Sequence, residues 1–142
     1  FYPFTRDFDL LVSRGKLHIL FISSWYPNRN HLTHGIFNRY FAEAVSALHE
    51  VTVIHVSSED KPKQDFEVVQ TKEGNLHSIH VYYKKVRSKL PGISAFIKRK
   101  RYLKAFELGY NTLLLHRSQP QLIHLNVVLP AGLGALHLSR KY

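Results

Sequence analysis

Short β-prone runs alternate with longer helical periods along this chain, and this alternation restricts the possible folds more than any other feature. Residues 17–22 form an almost continuous apolar run, as expected of a strand buried on both faces. Apolar residues then recur at helical spacing over residues 36–48, and residues 51–56 form a second buried run. This order predicts a βαβ unit, and therefore an α/β fold with a Rossmann-like parallel sheet flanked by helices.

The rest of the chain extends the same pattern. Residues 66–71 and 76–86 are β-prone and are joined by a turn at residues 72–75, which predicts a hairpin or edge pair at 66–86. A further short buried strand is predicted at residues 122–125, followed by a helix with Pro130 in its first turn. Between them a long amphipathic helix ends before Pro120, and its apolar stripe consists of Ile93, Phe96, Ile97, Leu103, Phe106, Tyr110, Leu113 and Leu114.

The 142 residues suffice for one domain or part of one. Residues 1–15 are interpreted as an N-terminal extension and residues 16–142 as the domain. The last predicted βα unit has no strand after it, which suggests that the sheet is incomplete and that the domain is a partial one.

Several classes of site are excluded or disfavoured by the composition. The chain has no cysteine, which excludes a disulfide scaffold, a thiolate zinc site and a cysteine nucleophile. The GxGxxG, GxxxxGK[ST], GxSxG and HExxH motifs are absent. No metal site is expected, because His77 and His80 point to opposite faces of a strand and His31 and His34 lack further ligands nearby. The longest apolar runs are too short to cross a bilayer.

Positive charge is concentrated in one stretch of the chain. The formal net charge is +10. Residues 84–104 contain no carboxylate and nine cations, the basic block: Lys84, Lys85, Arg87, Lys89, Lys98, Arg99, Lys100, Arg101 and Lys104. Such a block attracts nucleic acid, an anionic bilayer or a charged substrate, or else it is the solvated face of a helix.

Ligands of doubly wound sheets bind beyond the carboxyl ends of the strands, where the strand order reverses. This rule selects the loops at residues 24–35 and 126–130, which both lead into helix N-termini that favour an anion such as a diphosphate. Gly35 either lets the backbone approach that anion or forms a simple loop-to-helix turn.

Three aromatic side chains lie near this predicted crevice. Trp25 and Tyr26 either stack on a sugar ring or cap the core. His124 lies within an apolar strand and is interpreted as a hydrogen-bonded core residue rather than a catalyst.

Two segments resemble glycosyltransferase family 4. Residues 16–56, KLHILFISSWYPNRNHLTHGIFNRYFAEAVSALHEVTVIHV, are similar to the N-terminus of that family, with its WYP-N element, Gly-Ile-Phe helix start, AEAL-like helix and HEVTVI strand. Residues 120–142, PQLIHLNVVLPAGLGALHLSRKY, are similar to its segment around the fourth strand, where H-x-H or H-x-N precedes a Pro-Ala-Gly helix. The two segments are in the family's order and cover about half of the chain.

The resemblance implies a GT-B enzyme in polysaccharide biosynthesis, with two Rossmann-like domains that bind a nucleotide-sugar between them. Such a transferase moves a hexose-like sugar, with retention of configuration, to a glycan or lipid-linked acceptor. The chain would be the N-terminal, acceptor-side domain in part. The C-terminal donor-binding domain and its Glu-x7-Glu motif are absent from these residues, so they are expected to be inactive alone. The nucleotide-sugar is a substrate, and no cofactor is implied.

The resemblance also implies roles for single residues, although it assigns no catalytic base. Gly35 and His34 match the loop that approaches the donor phosphates, with His34 in place of the first glycine of the family's Gly-Gly pair. Asn126 takes the second histidine position of the H-x-H variant. The acceptor-side cleft would be formed by Trp25, Tyr26, Asn28, His124 and Asn126.

Family members that act on lipid-linked acceptors often attach to anionic membranes through a positive face of this domain. The basic block would then bind the inner face of the membrane, which predicts a cytoplasmic, peripherally bound protein. A nucleic-acid-binding module and a freestanding Rossmann-like binding protein are the alternatives, and nucleic acid is the less favoured partner.

Overall fold

The computed structural model describes residues 15–87 and 91–142. Lys89 and nearly all of the predicted N-terminal extension lie outside these residues. Five strands and three helices are described, in the order β1 (His18–Ser23), α1 (Ile36–Ser46), β2 (Glu50–Glu59), β3 (Phe66–Glu73), β4 (Leu76–Lys84), α2 (Pro91–His116), β5 (Leu122–Asn126) and α3 (Val128–Lys141).

The five strands form one sheet in the order β3-β4-β2-β1-β5. β1 pairs in parallel with β2 and β5, β2 pairs in parallel with β4, and β3 is antiparallel to β4. The predicted α/β fold with a Rossmann-like parallel sheet is therefore confirmed, as is the predicted hairpin. Its turn contains Gly74 at φ +58°, a conformation that glycine adopts without steric cost.

Strand residues alternate between two apolar layers. On one face, Leu20, Ile54 and Val81 pack with Phe106 of α2 and Leu138 of α3. The other face packs against α1 and has its own buried cluster, formed by Ile19, Phe21, Tyr26, Ala42, Val51, Val53 and Leu76. Burial on both faces explains why the β1 and β2 sequences are almost continuously apolar.

Residues 122–125 form the predicted strand, but its predicted burial is wrong. Among the described strands, β5 lies at the edge of the sheet and pairs with β1 alone, and Leu122 is 50% exposed. After β5, Leu129 has non-helical backbone angles of φ −107° and ψ 129°, so the regular part of α3 begins at Pro130 as predicted.

The long helix α2 is present, but the buried residues of its predicted apolar stripe all lie in its second half, where Leu114 is 39% exposed. Ala105, Phe106, Tyr110 and Leu113 lie in the core. Residues 95–100 are all exposed, because no other described element covers this part of the helix, and Phe96 is 69% exposed. Within the described ranges, no helix combines the length and the apolarity needed to cross a membrane.

Candidate functional site

The two predicted ligand loops meet at one end of the sheet. Because β1 lies between β2 and β5, the strand order reverses at β1, and Ser23 at its carboxyl end is the register partner of Asn126. The Ser24 hydroxyl donates to the carbonyl oxygen of Val127 at 3.0 Å and accepts from the amide of Ala131 at 2.9 Å. A single serine therefore ties the β1–α1 loop to the start of α3.

A surface cleft of about 780 Å³ opens along the β1–α1 loop and is called the β1–α1 cleft below. Its lining contains no carboxylate and consists of Trp25, His31, Thr33, His34, Gly35, Ile36 and Phe37. The Trp25 side chain is 46% exposed, and its ring lies 5.5 Å from the His34 ring, which lies 5.9 Å from the His31 ring. An exposed indole beside two imidazoles offers a stacking surface with hydrogen-bonding groups at its side.

Gly35 is required by the backbone of the loop itself. It has φ +66°, and a Cβ atom there would lie 2.3 Å from the carbonyl oxygen of Trp25. That carbonyl also accepts hydrogen bonds of 2.7 Å from the Asn38 amide group and from the Ser23 hydroxyl. Of the two roles that the sequence left open for Gly35, the loop-to-helix turn is the one that these contacts explain.

Trp25 and Tyr26 point to opposite environments. Tyr26 is 3% exposed, and its hydroxyl lies 3.3 Å from that of Ser78, so it does not line the β1–α1 cleft. Burial raises the pKa of the Tyr26 phenol, which stays neutral. Tyr26 supports the loop from below, while Trp25 forms part of the cleft wall.

Asn28 shapes the loop instead of facing a ligand. The side chain is buried, and its amide nitrogen donates to the Tyr26 carbonyl at 3.0 Å and to Nε2 of His55 at 3.3 Å. Its Oδ1 accepts from the backbone amides of Asn30 and His31 at 3.0 and 3.2 Å. Both polar atoms of the side chain are therefore occupied inside the protein.

His124 and Asn126 form a pair at the end of β5. The His124 ring packs 4.6 Å from Phe21 and 5.3 Å from Phe41, and its Nε2 donates to Oδ1 of Asn126 at 3.1 Å. His124 is thus hydrogen-bonded, but it is half-buried and does not lie in the core as predicted. The Asn126 side-chain nitrogen is buried without a hydrogen-bond partner in the described part of the chain, which leaves one donor unused beside the two loops.

The sequence did not indicate the role of Arg29, which fastens the β1–α1 loop across the end of the sheet. Its guanidinium donates to both carboxylate oxygens of Glu59 at 2.7 and 2.5 Å and of Glu67 at 3.0 and 2.9 Å. It also lies 3.8 Å from the centre of the Tyr82 ring. Arg29 holds the pKa of Glu59 below its usual range. In the sequence, Arg29 is a single cation in a loop, and this pattern does not indicate which residues it contacts.

Two histidines beneath the loop, the buried His55 and the half-buried His80, were not among the predicted site residues. Nδ1 of His55 donates to the Ser23 carbonyl at 3.0 Å, because the Asn28 amide group occupies Nε2. The His80 ring lies 5.8 Å from that of His55, and Nδ1 of His80 is buried without a partner among the described residues. Burial lowers the pKa of His55 and lowers that of His80 to about 4, so both rings are neutral at neutral pH.

In the folded chain, two arginines of the basic block pair with carboxylates that lie outside it. Arg87 pairs with Asp60 at 2.9 Å, and Arg101 pairs with Asp65 at 2.6 Å and lies 4.7 Å from the centre of the Phe66 ring. These exposed pairs reduce the positive charge of the block. Its exposed cations without an ion pair to another described residue are Lys84, Lys85, Lys98, Arg99, Lys100 and Lys104.

No family model matches the chain, and no curated protein matches it. The resemblance of residues 16–56 and 120–142 to glycosyltransferase family 4 therefore stays a prediction. Functional inference depends on the β1–α1 cleft and on the loops that form it.

Proposed function

We propose that this chain is the acceptor-side part of a retaining glycosyltransferase that moves a sugar from a nucleotide-sugar to a glycan or lipid-linked acceptor. One observation carries the proposal: two loops converge at the switch point of a parallel sheet, beside an aromatic-lined cleft of about 780 Å³. Crevices at this position of α/β sheets are the usual ligand sites, and the volume suits a ligand of several rings.

The residues of the cleft suit a saccharide. The exposed face of Trp25 stacks on the apolar face of a pyranose ring, while His31 and His34 exchange hydrogen bonds with its hydroxyls. The positive end of the α1 dipole lies at the same cleft and favours the diphosphate of the donor. Because the Ala131 amide already donates to Ser24, that amide of α3 is not available to the phosphates.

Trp25 provides a direct test, since it is the only tryptophan in the 142 residues. We expect its fluorescence to change saturably when the full chain is titrated with glycans selected on a glycan array. Trp25→Ala should weaken glycan binding about tenfold in calorimetry, the effect of losing one stacked aromatic ring. Tyr40→Ala removes an exposed aromatic side chain that is not part of the cleft lining and should leave the affinity unchanged.

Other outcomes would contradict the proposal. Fluorescence that responds to neither glycans nor nucleotide-sugars would exclude a saccharide site at Trp25. Oligonucleotide binding that falls steeply with salt and exceeds binding to other polyanions would favour a nucleic-acid-binding module. Binding of a nucleotide without any glycan would favour the freestanding Rossmann-like binding protein.

The exposed part of α2 supports a second element of the proposal, attachment to the inner face of a membrane. Ile93, Phe96 and Ile97 are exposed there, next to the cations at residues 98–100. Apolar side chains that enter the headgroup region beside cations that bind anionic lipids are typical of interfacial helices. Such a helix would hold the cleft near a lipid-linked acceptor.

Vesicle sedimentation tests this attachment. The chain should bind phosphatidylglycerol vesicles more tightly than phosphatidylcholine vesicles. The double variant Lys98→Gln/Lys100→Gln should lose about 30-fold in affinity, since each cation contributes about 1 kcal/mol at the surface. Phe96→Ala should weaken binding further, whereas Leu48→Ala, at an exposed leucine of the α1–β2 turn, should not. Equal binding to both vesicle types would contradict the proposal.

A further inference from the structure

A row of polar side chains crosses the sheet at its amino edge, opposite the β1–α1 cleft. Lys72 of β3 is the register partner of His77 of β4, which is in turn the partner of Thr52 of β2. His77 and Thr52 are buried. At the amino edge of the sheet, polar side chains occupy positions that apolar side chains fill in the core. They lie next to the carboxyl end of α2.

Lys72 and His77 line a pocket of about 270 Å³, called the amino-edge pocket below. β3, β4 and the end of α2 contribute its lining, which contains no carboxylate and consists of Gln70, Thr71, Lys72, His77, His116 and Arg117. The volume is just below the range of about 300–1,000 Å³ that holds drug-sized ligands, so it suits one small group.

Arg117 is the most unusual member of the pocket. Its side chain is 10% exposed, and Nη2 donates to the Asn75 carbonyl at 3.1 Å. Nη1 is buried and makes no hydrogen bond within the described residues, and the nearest carboxylate oxygen, Oε2 of Glu50, is 3.8 Å away. A buried guanidinium nitrogen without an acceptor is costly, and an anionic ligand would supply that acceptor.

The surroundings of His77 indicate a positive potential in the pocket. Its Nε2 donates to Oε1 of Gln70 at 2.9 Å, and its ring lies 6.0 Å from that of His116. Burial lowers the pKa of His77, and the neighbouring Arg117, His116 and Lys72 lower it further. An anion bound among these groups would oppose that effect.

Two negative charges near Arg117 oppose the positive charge of the pocket. Glu50 is not part of the lining, but its Oε2 lies 3.8 Å from Nη1 of Arg117, and the carboxyl end of α2 carries a partial negative charge of about half a unit. His18 adds no charge at neutral pH, because burial lowers its pKa, and its ring donates to the Ser118 carbonyl at 2.8 Å and accepts from the Thr52 hydroxyl at 2.9 Å. Lys72 and Arg117 together exceed the opposing charges.

We propose that the amino-edge pocket binds a phosphate group, as free phosphate or as a small phosphomonoester. The fork of Arg117 and the ammonium of Lys72 offer charge-assisted donors, and the His116 ring offers a further N–H group. The pocket lies at the opposite edge of the sheet from the β1–α1 cleft, so this site does not depend on the proposed transferase function.

The test is a calorimetric titration of the full chain with inorganic phosphate at constant ionic strength, with NMR of the histidine rings. We expect one saturable site, and a higher pKa of His77 when phosphate is bound. Lys72→Gln should weaken binding at least tenfold, and this exposed position leaves the core intact. Lys61→Gln, at an exposed position of the β2–β3 loop and outside the lining of the pocket, is the matched control and should leave the affinity unchanged.

Further ligands separate the sources of the phosphate group. Methyl phosphate in solution should compete with inorganic phosphate, whereas competition by phosphatidic acid vesicles alone would indicate a lipid headgroup at the membrane surface instead. Equal losses in the Lys72→Gln and Lys61→Gln variants would show diffuse attraction to the net charge and overturn the site. An unchanged pKa of His77 on saturation with phosphate would also overturn it.

Discussion

Gly35→Ala is expected to lower the free energy of unfolding by about 2–5 kcal/mol and to distort the β1–α1 cleft. The added Cβ would lie 2.3 Å from the Trp25 carbonyl oxygen, and φ is +66°. Overpacking of a tight contact costs about 1–3 kcal/mol, and a left-handed conformation costs an L residue about 1–2 kcal/mol. The Trp25 carbonyl is hydrogen-bonded to Asn38 and Ser23, so it cannot retreat without breaking those bonds.

Gly74→Ala is the matched control for this variant. Gly74 also has a positive φ, +58°, but an added Cβ would meet no atom within 4 Å. Gly74→Ala should therefore have the conformational cost of about 1–2 kcal/mol without the steric clash. Urea unfolding of both variants, followed by circular dichroism, measures the difference. Equal destabilisation would show that the close approach to Trp25 is not rigid, and would weaken the case that the cleft is preformed.

The arrangement of the strands could be predicted because it is encoded locally. The apolar runs at β1 and β2 reflect burial on both faces, and the turn around Gly74 brings β3 back onto β4. The meeting of the two ligand loops also followed from the sequence, since the carboxyl ends of parallel strands lie at one edge. The periodicity of apolar residues does not show which strands and helices have neighbours on both sides. Exposure at β5 and at the start of α2 was therefore missed.

The site residues could be predicted only in part. Trp25 and His34 were found because they lie in a loop that follows a buried strand, and both line the cleft. Tyr26 follows Trp25 directly, and the sequence could not tell which of the two rings faces the core. Contacts between distant residues leave no local pattern, and the pairing of Arg29 with Glu59 and Glu67 is one example.

His80 makes the stability of this protein sensitive to mild acid. Its pKa is about 4 in the folded chain, because burial disfavours the charged ring and the nearby His55 and the guanidinium of Arg39 oppose its protonation further, whereas an exposed histidine has a pKa of 6.5. Below pH 6.5 the unfolded chain therefore binds a proton that the folded chain does not. Stability is fully present above that pH and falls as the pH decreases toward 4. The burial of His55, whose pKa is also lowered, acts in the same direction.

The expected loss from His80 alone is about 2.5 kcal/mol between pH 7.5 and pH 4.5, at 1.36 kcal/mol for each pH unit below 6.5. Urea unfolding at several pH values between 7.5 and 4.5 measures this loss of stability. The pH interval lies above most of the range in which carboxylates titrate. His80→Gln should reduce the slope below pH 6.5 by about one proton, because glutamine does not titrate. The slopes of the two proteins between pH 7.5 and pH 8.5 should agree. An unchanged acid slope in His80→Gln would mean that His80 takes up a proton in the folded state, and hence that the loop above it admits water.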